Sequence, residues 1–178
     1  ANVGCTNEAV ARLEERLEDI AQHRGSKVRI VGHSLGGMLA RGLAASRPDL
    51  VSGVVTLGSP VLAPGAHHLS LAHSLEMLVR LNQAGVGRLM AKDCIAGECA
   101  RESFERSRAT LPLDVDFTAI YSRSDGIVDW RACIDPAARP VEVQASHIGM
   151  AVDPDVIEKV RAALVPQPTS YLSAIEVD

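Results

Sequence analysis

The hexapeptide Gly32–Gly37 constrains the fold of this chain more than any other feature. It reads GHSLGG and lies between a β-branched segment, Val28–Val31, and a helical pattern that follows it. A G-x-S-x-G pentad between a strand and a helix is typical of a sharp turn that holds its serine in a strained conformation. We expect Gly32 and Gly36, which lack Cβ atoms, to let the strand and the helix approach closely around this turn. Ser34 is therefore a candidate nucleophile at the carboxyl edge of a sheet.

Strand and helix patterns alternate along the chain. Four short apolar segments predict buried strands, at Val28–Val31, Val54–Leu57, Phe117–Tyr121 and Val141–Gln144. Apolar residues and terminal signals predict three helices, over 7–23, 35–47 and from Pro154 onward. This alternation predicts an α/β fold with a mostly parallel sheet covered by helices.

Apolar spacing identifies the helix faces that should meet the sheet. In the first helix the inward positions are Val10, Leu13, Leu17 and Ile20. The last helix has Asp153 as its N-cap and Pro154 at its first position, where a missing N–H costs nothing. Its inward residues are expected to be Val156, Ile157, Val160 and Leu164.

Composition and charge exclude several function classes. The chain has 178 residues, a net charge of −4 and no cluster of Lys and Arg of the kind that nucleic-acid binding requires. No apolar run approaches the roughly 18 residues that span a bilayer. The four cysteines lack the spacing of a zinc site, and we expect neither a metal nor a cofactor. Cys94 and Cys99 are compatible with a small loop disulfide or with reduced thiols.

Several motifs together resemble the α/β-hydrolase superfamily, and most closely its bacterial lipases and esterases. They are GHSLGG, the helix end Ala44–Asp49 and the strand end Leu57–Pro60, and the likeness extends over most of residues 6–165. Acyltransferases that load fatty-acid and polyketide carriers also contain GHSLG, but this chain lacks the rest of their pattern. The resemblance implies a mostly parallel sheet with helices on both faces and a helical cap insertion.

The resemblance also implies a base and an acid that follow the serine in the order Ser, acid, His. Asp125 lies just beyond the third predicted strand, and His147 lies one loop beyond the fourth. Because both strands are expected to be parallel to the first, these side chains should reach the sheet edge that carries Ser34. Asp129 is the alternative acid, four residues further on. The expected chemistry is hydrolysis of carboxylic esters through an acyl-enzyme.

The oxyanion of such a reaction needs at least two N–H donors. The resemblance implies that the N–H of Leu35 is one of them, and that the second comes from a loop after an early strand. No such strand precedes the helix over 7–23, so the chain resembles the C-terminal two thirds of its family and is expected to lack the N-terminal strands. A missing segment or a partner chain would then fill the open side of strand Val28–Val31. The alternative is a natural minimal hydrolase with four strands.

The domain organisation follows from the length of one connection. Residues 61–111 are too many for a simple crossover and predict a helical cap inserted into a core of residues 1–60 and 112–168, with a tail over 169–178. Substrate contacts are expected from four residues, although ordinary helix packing is the alternative for the aliphatic ones: His33, Leu75, Leu78 and Met90.

Two other functions remain open beside ester hydrolysis by a lipase-like or esterase-like enzyme. The same three residues would serve a thioesterase or an acyltransferase, and the chain could also be an inactive fragment or an acyl-binding domain. A small ester or a lipid is the expected substrate. The absence of a leader favours the cytoplasm, and secretion stays open because a missing N-terminus would have carried the leader.

Overall fold

A computed structural model describes residues 6–62 and 97–165 of the chain. These residues form four helices, α1 (Thr6–Arg24), α2 (Leu35–Ser46), α3 (Glu98–Arg108) and α4 (Pro154–Leu164). The four strands are β1 (Val28–His33), β2 (Val51–Leu57), β3 (Asp116–Tyr121) and β4 (Arg139–Glu142). Two short 3₁₀ turns, Trp130–Cys133 and Gly149–Ala151, follow β3 and β4.

The four strands form one parallel sheet in the order β1-β2-β3-β4. The predicted α/β fold with a parallel sheet is therefore confirmed. The strand predicted over Val141–Gln144 lies two residues earlier, at Arg139–Glu142. Among the described strands β4 is at an edge, where Pro140 can be accommodated although it has no N–H to donate.

Helices cover both faces of the sheet because side chains alternate along each strand. Val54 of β2 and Ala119 of β3 belong to an apolar cluster that includes residues of α1 and α2. Their neighbours Val55 and Ile120 belong to a second cluster that includes Val156 of α4. Buried strands with apolar residues on both faces are typical of a parallel sheet between two helical layers.

Two residues expected to face inward are exposed instead. Ile157 is 47% exposed, because it follows the fully buried Val156 and a helix turns by about 100° per residue. The inward stripe of α4 is completed by Ala163, with Val160 and Leu164 partly buried against it. The N-cap prediction is confirmed, since the Asp153 carboxylate accepts the N–H groups of Asp155 and Val156.

Leu13 of α1 is the second such residue, with 43% of its surface exposed. It lines an open groove of about 720 Å³ that runs between α1, β1 and α2. Within the described ranges, β1 pairs with β2 alone, and Val31 at its middle is 42% exposed. The open side predicted for this strand is present, and what fills it stays a prediction.

The predicted cap lies mostly outside the described residues, as do the predicted tail and part of the N-terminal core. Its described end forms α3, which packs on α2, so that a Cβ at Gly42 would lie 3.2 Å from Cγ of Arg106. Asn7 of α1 also donates a hydrogen bond to Glu102 of α3. The domain boundaries at 60/61 and 111/112 stay predictions.

Candidate active site

Ser34 occupies the turn between β1 and α2 in a strained backbone conformation. Its φ of 55° and ψ of −126° make it the one residue other than glycine with positive φ in the described ranges. Such a conformation costs of order 1–3 kcal/mol and persists only where the surroundings enforce it. Here the Ser34 N–H donates to the Leu57 carbonyl at the end of β2, and the Ser34 carbonyl accepts from Gly37. The turn therefore holds the serine at the N-terminus of α2, the positive end of the helix dipole.

Gly32 and Gly37 make this turn possible, and of these two only Gly32 was predicted to allow the close approach. A Cβ at Gly32 would overlap the Gly36 carbonyl and the Gly37 Cα, while a Cβ at Gly37 would overlap the Ser59 hydroxyl. A Cβ at Gly36 would meet no atom of the described residues within 4 Å. The expectation that Gly36 permits close approach is therefore wrong, and Gly37 has that role. Gly36 is in the first turn of α2 and lines the open groove beside β1.

Asp125 and His147 are joined by a buried hydrogen bond. The Nδ1 of His147 lies 2.8 Å from Oδ2 of Asp125, and both side chains are at least nine-tenths buried. The other carboxylate oxygen, Oδ1, accepts the N–H groups of Ile127 at 2.9 Å and Val128 at 2.7 Å. A buried carboxylate with three donors is oriented and satisfied, so it can fix the imidazole tautomer that carries a proton on Nδ1.

Asp129, the alternative acid, has a different position. Its carboxylate accepts the N–H of Arg131 at 3.0 Å and caps the 3₁₀ turn Trp130–Cys133. The side chain is exposed, and among the described residues its carboxylate bonds to Arg131 and not to His147. Of the two candidate acids, the structure brings Asp125 to the histidine.

The loops that carry Asp125 and His147 are tied to each other by a serine that sequence reasoning missed. The buried hydroxyl of Ser122 accepts the N–H of Ser124 in the first loop and the N–H of Ala145 in the second. The N–H of His147 then donates to the Asp125 carbonyl at 3.0 Å. The only sequence signal for Ser122 is its position directly after β3, at the carboxyl edge of the sheet.

Gly58 is a second missed residue, and it links the two halves of the site. It follows Leu57, whose carbonyl holds Ser34, and it has a φ of +53°. A Cβ at Gly58 would lie 3.0 Å from Oδ2 of Asp125 and 3.1 Å from Nδ1 of His147. The backbone of Gly58 therefore covers the acid–base hydrogen bond, and a larger side chain would press on both atoms.

The surroundings lower the pKa values of Asp125 and His33. Burial acts to raise the pKa of Asp125, but the hydrogen bonds from His147, Val128 and Ile127 outweigh it and bring the pKa below its usual value. Burial lowers the pKa of His33, beyond what its hydrogen bond to the His147 carbonyl restores. Asp125 is thus ionised at neutral pH and His33 is neutral.

Comparisons with known proteins identify the fold of the chain. A family model described as the alpha/beta hydrolase fold matches residues 5–83. The mature form of a Bacillus licheniformis lipase superposes with a TM-score of 0.68 at 15% identity, over 92% of this chain and 76% of the lipase chain. The chain has the α/β-hydrolase fold.

Two further solved structures share this α/β-hydrolase fold. A monoacylglycerol lipase from Paleococcus ferrophilus has a TM-score of 0.54 at 18% identity, over 92% of this chain and 76% of that chain. The NocB thioesterase domain has a TM-score of 0.52 at 19% identity, over 87% and 74%. The fold that the family resemblance implied is therefore confirmed.

Ser34 is linked to the Asp125–His147 pair through the residue that precedes it. His33, the residue before it, bonds through Nε2 to the His147 carbonyl at 2.8 Å, and the two imidazole rings lie 4.7 Å apart. Within residues 6–62 and 97–165, no hydrogen bond joins the Ser34 hydroxyl to the His147 imidazole directly. Catalytic hydrogen bonds are often long without substrate and tighten when it binds.

The remaining predicted site residues have different outcomes. Leu35 is the first residue of α2, so its N–H has no partner within the helix, and its role as an oxyanion donor stays a prediction. The polar Nε2 atom of His33 is occupied by His147, and a substrate contact from this ring stays a prediction. Three predicted substrate contacts lie outside the described residues: Leu75, Leu78 and Met90.

Other chemistry at the site is restricted by the described side chains. In the part of the chain that the structure describes, no group of three or more His, Cys, Asp or Glu residues could hold a metal ion. None of the helices there combines the length and the apolar character needed to cross a membrane.

Cys133, near Asp125, is no rival nucleophile, because burial above all raises the pKa of its thiol to about 12. Cys94 lies outside the described residues, so a Cys94–Cys99 disulfide stays a prediction.

Proposed function

We propose that the chain is a serine hydrolase of carboxylic esters, with Ser34 as nucleophile, His147 as general base and Asp125 as the acid that orients it. One observation carries the proposal. A strained serine at a helix N-terminus lies at the same sheet edge as a buried Asp–His pair, and His33 and Gly58 connect the two. A serine hydroxyl is a weak nucleophile until a base within hydrogen-bond reach takes its proton.

In the proposed reaction, Oγ of Ser34 attacks the ester carbonyl carbon while Nε2 of His147 accepts the hydroxyl proton. Asp125 stabilises the imidazolium that forms and does not itself take the proton. The alcohol leaves with the proton from His147, and an acyl-Ser34 remains. Water then attacks the acyl carbon, His147 accepts the proton of the water and returns it to Ser34, and the carboxylic acid is released.

The oxyanion of each tetrahedral intermediate would form near the N-terminus of α2. The Leu35 N–H is the proposed donor, and its direction along the helix axis adds the favourable end of the helix dipole. Loss of one such donor costs about 100- to 1,000-fold in rate in other acyl-transfer enzymes. A donor in this position therefore supports acyl transfer as the reaction class.

The names of the similar structures favour an acyl substrate and leave its leaving group open. They include lipases, whose substrates are esters, and a thioesterase domain captured in a covalent complex with a fluorophosphonate analogue. A small-molecule ester or lipid is the substrate class we propose for this chain, with a thioester as the second candidate. The same three residues would process either bond.

The test combines covalent labelling with turnover. A fluorophosphonate probe should label the unsubstituted chain at Ser34, identified by peptide mass, and should leave Ser34→Ala unlabelled. Turnover of p-nitrophenyl esters of two to sixteen carbons should fall at least about a thousandfold in the same variant. Circular dichroism of Ser34→Ala controls for folding.

Matched acyl thioesters decide between the two candidates. Higher kcat/KM on esters than on thioesters of the same acyl group would favour the esterase, and the reverse would favour the thioesterase. A folded chain without Ser34-dependent labelling or turnover would contradict the proposal and favour an inactive, acyl-binding role.

A further inference from the structure

His33 joins the serine turn to the loop of the base. Its Nε2 lies 2.8 Å from the main-chain carbonyl oxygen of His147, across 114 positions of sequence. A carbonyl oxygen can only accept, so Nε2 of His33 must carry the proton and donate. The side chain is half-buried against the site, and no other side chain of the described residues makes a hydrogen bond to the His147 backbone.

This contact completes the restraint of His147. The acid loop already holds two of its groups, since the Asp125 carbonyl accepts the His147 N–H and the Asp125 carboxylate accepts Nδ1–H. The third group, the backbone carbonyl of His147, is held by His33 from the opposite half of the site. Without that bond, the His147 carbonyl would lose its hydrogen bond to the serine turn, and the position of His147 Nε2 relative to Ser34 would be less restrained.

The ring contact adds a second reason for a histidine at this position. The His33 and His147 rings have centroids 4.7 Å apart and planes tilted by 43°. Because burial, with a smaller effect of the His147 charge, lowers the pKa of His33 despite Asp125, a neutral ring faces the base. A neutral neighbour lets His147 become positively charged during the reaction without repulsion between like charges.

We propose that His33 is a positioning residue that sets the distance between Ser34 and the His147 imidazole by holding the His147 carbonyl. The inference rests on the proposed function, in which His147 is the base. His33 directly precedes Ser34, so the same backbone that carries the nucleophile also carries the donor that fixes the base. The role differs from the substrate contact that the sequence predicted for His33.

Three substitutions separate the donor from the ring. His33→Gln keeps an N–H donor at a reach similar to Nε2, His33→Asn keeps a donor that is too short, and His33→Phe keeps the ring and removes the donor. Exposed His23 is the matched control, because it also bonds to a backbone carbonyl, that of Asp19, in α1 and far from the site. The readouts are kcat and KM on p-nitrophenyl butyrate, the rate of fluorophosphonate labelling of Ser34, and the melting temperature.

The expected result is a loss in kcat and in labelling rate with KM nearly unchanged. His33→Phe and His33→Asn should lose about 10- to 100-fold, the cost of a small misplacement of a catalytic group. His33→Gln should recover most of that loss, and His23→Phe should match the unsubstituted chain. If His33→Phe does not fold, the ratio between His33→Gln and His33→Asn carries the same comparison.

Two contrary outcomes are distinguishable. Equal labelling rates in His33→Gln, His33→Asn and the unsubstituted chain would overturn the positioning role and leave the proposed function intact. A loss in His33→Gln as large as in His33→Asn, with unchanged melting temperature, would also overturn it, because the donor would not matter. Absence of Ser34-dependent labelling in the unsubstituted chain would overturn the proposed function and this role together.

Discussion

The two halves of the candidate site are built in different ways. The serine turn is local, since one hexapeptide contains Ser34 and the two glycines that make room for it. The acid–base half is spread over two loops and is held by hydrogen bonds to Asp125, Ser122 and the His147 backbone. The conformation of the turn depends on the absence of side-chain atoms at its glycines. The conformation of the two loops depends on hydrogen bonds to their buried polar groups.

Because of this difference, we expect substitutions in the two halves to affect different properties of the protein. A substitution in the turn adds volume where there is none, and its cost is steric and falls on the stability of the fold. A substitution in the acid–base half removes charge or a hydrogen bond, and its cost falls first on the rate of reaction. The following predictions test this division.

The largest effect should come from the carboxylate that holds the base. Asp125→Asn leaves an amide beside Nδ1 of His147 and favours the wrong imidazole tautomer, so kcat should fall about 10³- to 10⁴-fold. Asp129→Asn is the matched control, because asparagine caps a helical turn about as well as aspartate, and its kcat should change by no more than about twofold. Ester turnover of both purified variants measures the contrast. Equal losses in the two would contradict the assignment of Asp125.

An intermediate effect should appear in the turn, on stability. Gly32→Ala places a Cβ against the backbone of α2 and should lower the free energy of unfolding by about 1–3 kcal/mol. Gly36→Ala meets open space and should be neutral or up to about 1 kcal/mol stabilising, because alanine favours a helix. Urea unfolding of the two variants measures the difference. If both lose the same stability, close packing around Gly32 is not what shapes the turn.

The smallest effect should be a pH-dependent stability from Asp125. Its pKa in the folded chain lies below the ordinary value of 3.8, so its ionised form stabilises the fold above about pH 4, and this contribution is lost as the pH falls through the lowered pKa. Asp125→Asn lacks the contribution at every pH. Urea unfolding from pH 7 to pH 2.5 should therefore show the stability difference between the two proteins shrinking as the pH falls.

Comparing the two proteins cancels the other acids of lowered pKa, which the variant retains; Asp49 and Asp114 are examples. A difference that stays constant across this range would mean that the Asp125 charge does not stabilise the fold.

The same division explains what the sequence could predict. The serine turn was recognisable because all its parts are adjacent, and the strands and helices were recognisable from their apolar spacing. Asp125 and Asp129 could not be separated, because both follow β3 and both suit a turn; only the positions of the loops decide which one meets His147. Ser122 carries no motif, and Gly58 belongs to the strand end Leu57–Pro60 without any role predicted for it there. The roles of both residues arise from contacts with distant segments.

The errors have equally local causes. Apolar spacing places Ile157 on the inner side of α4, but Val156 already fills that position. Leu13 has the right spacing in α1, yet the surface that it faces is the open groove beside β1. Gly36 and Gly37 are neighbours in the sequence, and which one approaches β1 depends on the rotation of the first turn of α2. None of these can be read from periodicity alone.

The parallel order of the sheet also has a consequence for folding. Ser34 follows β1, Gly58 follows β2, Asp125 follows β3 and His147 comes after β4, so every described strand contributes one end to the site. Contacts between distant segments form slowly because a long loop must close before they stabilise anything. In a refolding chain, Ser34 would gain its proposed base only once β4 and the loop after it have docked, so the reactivity of Ser34 would report that docking.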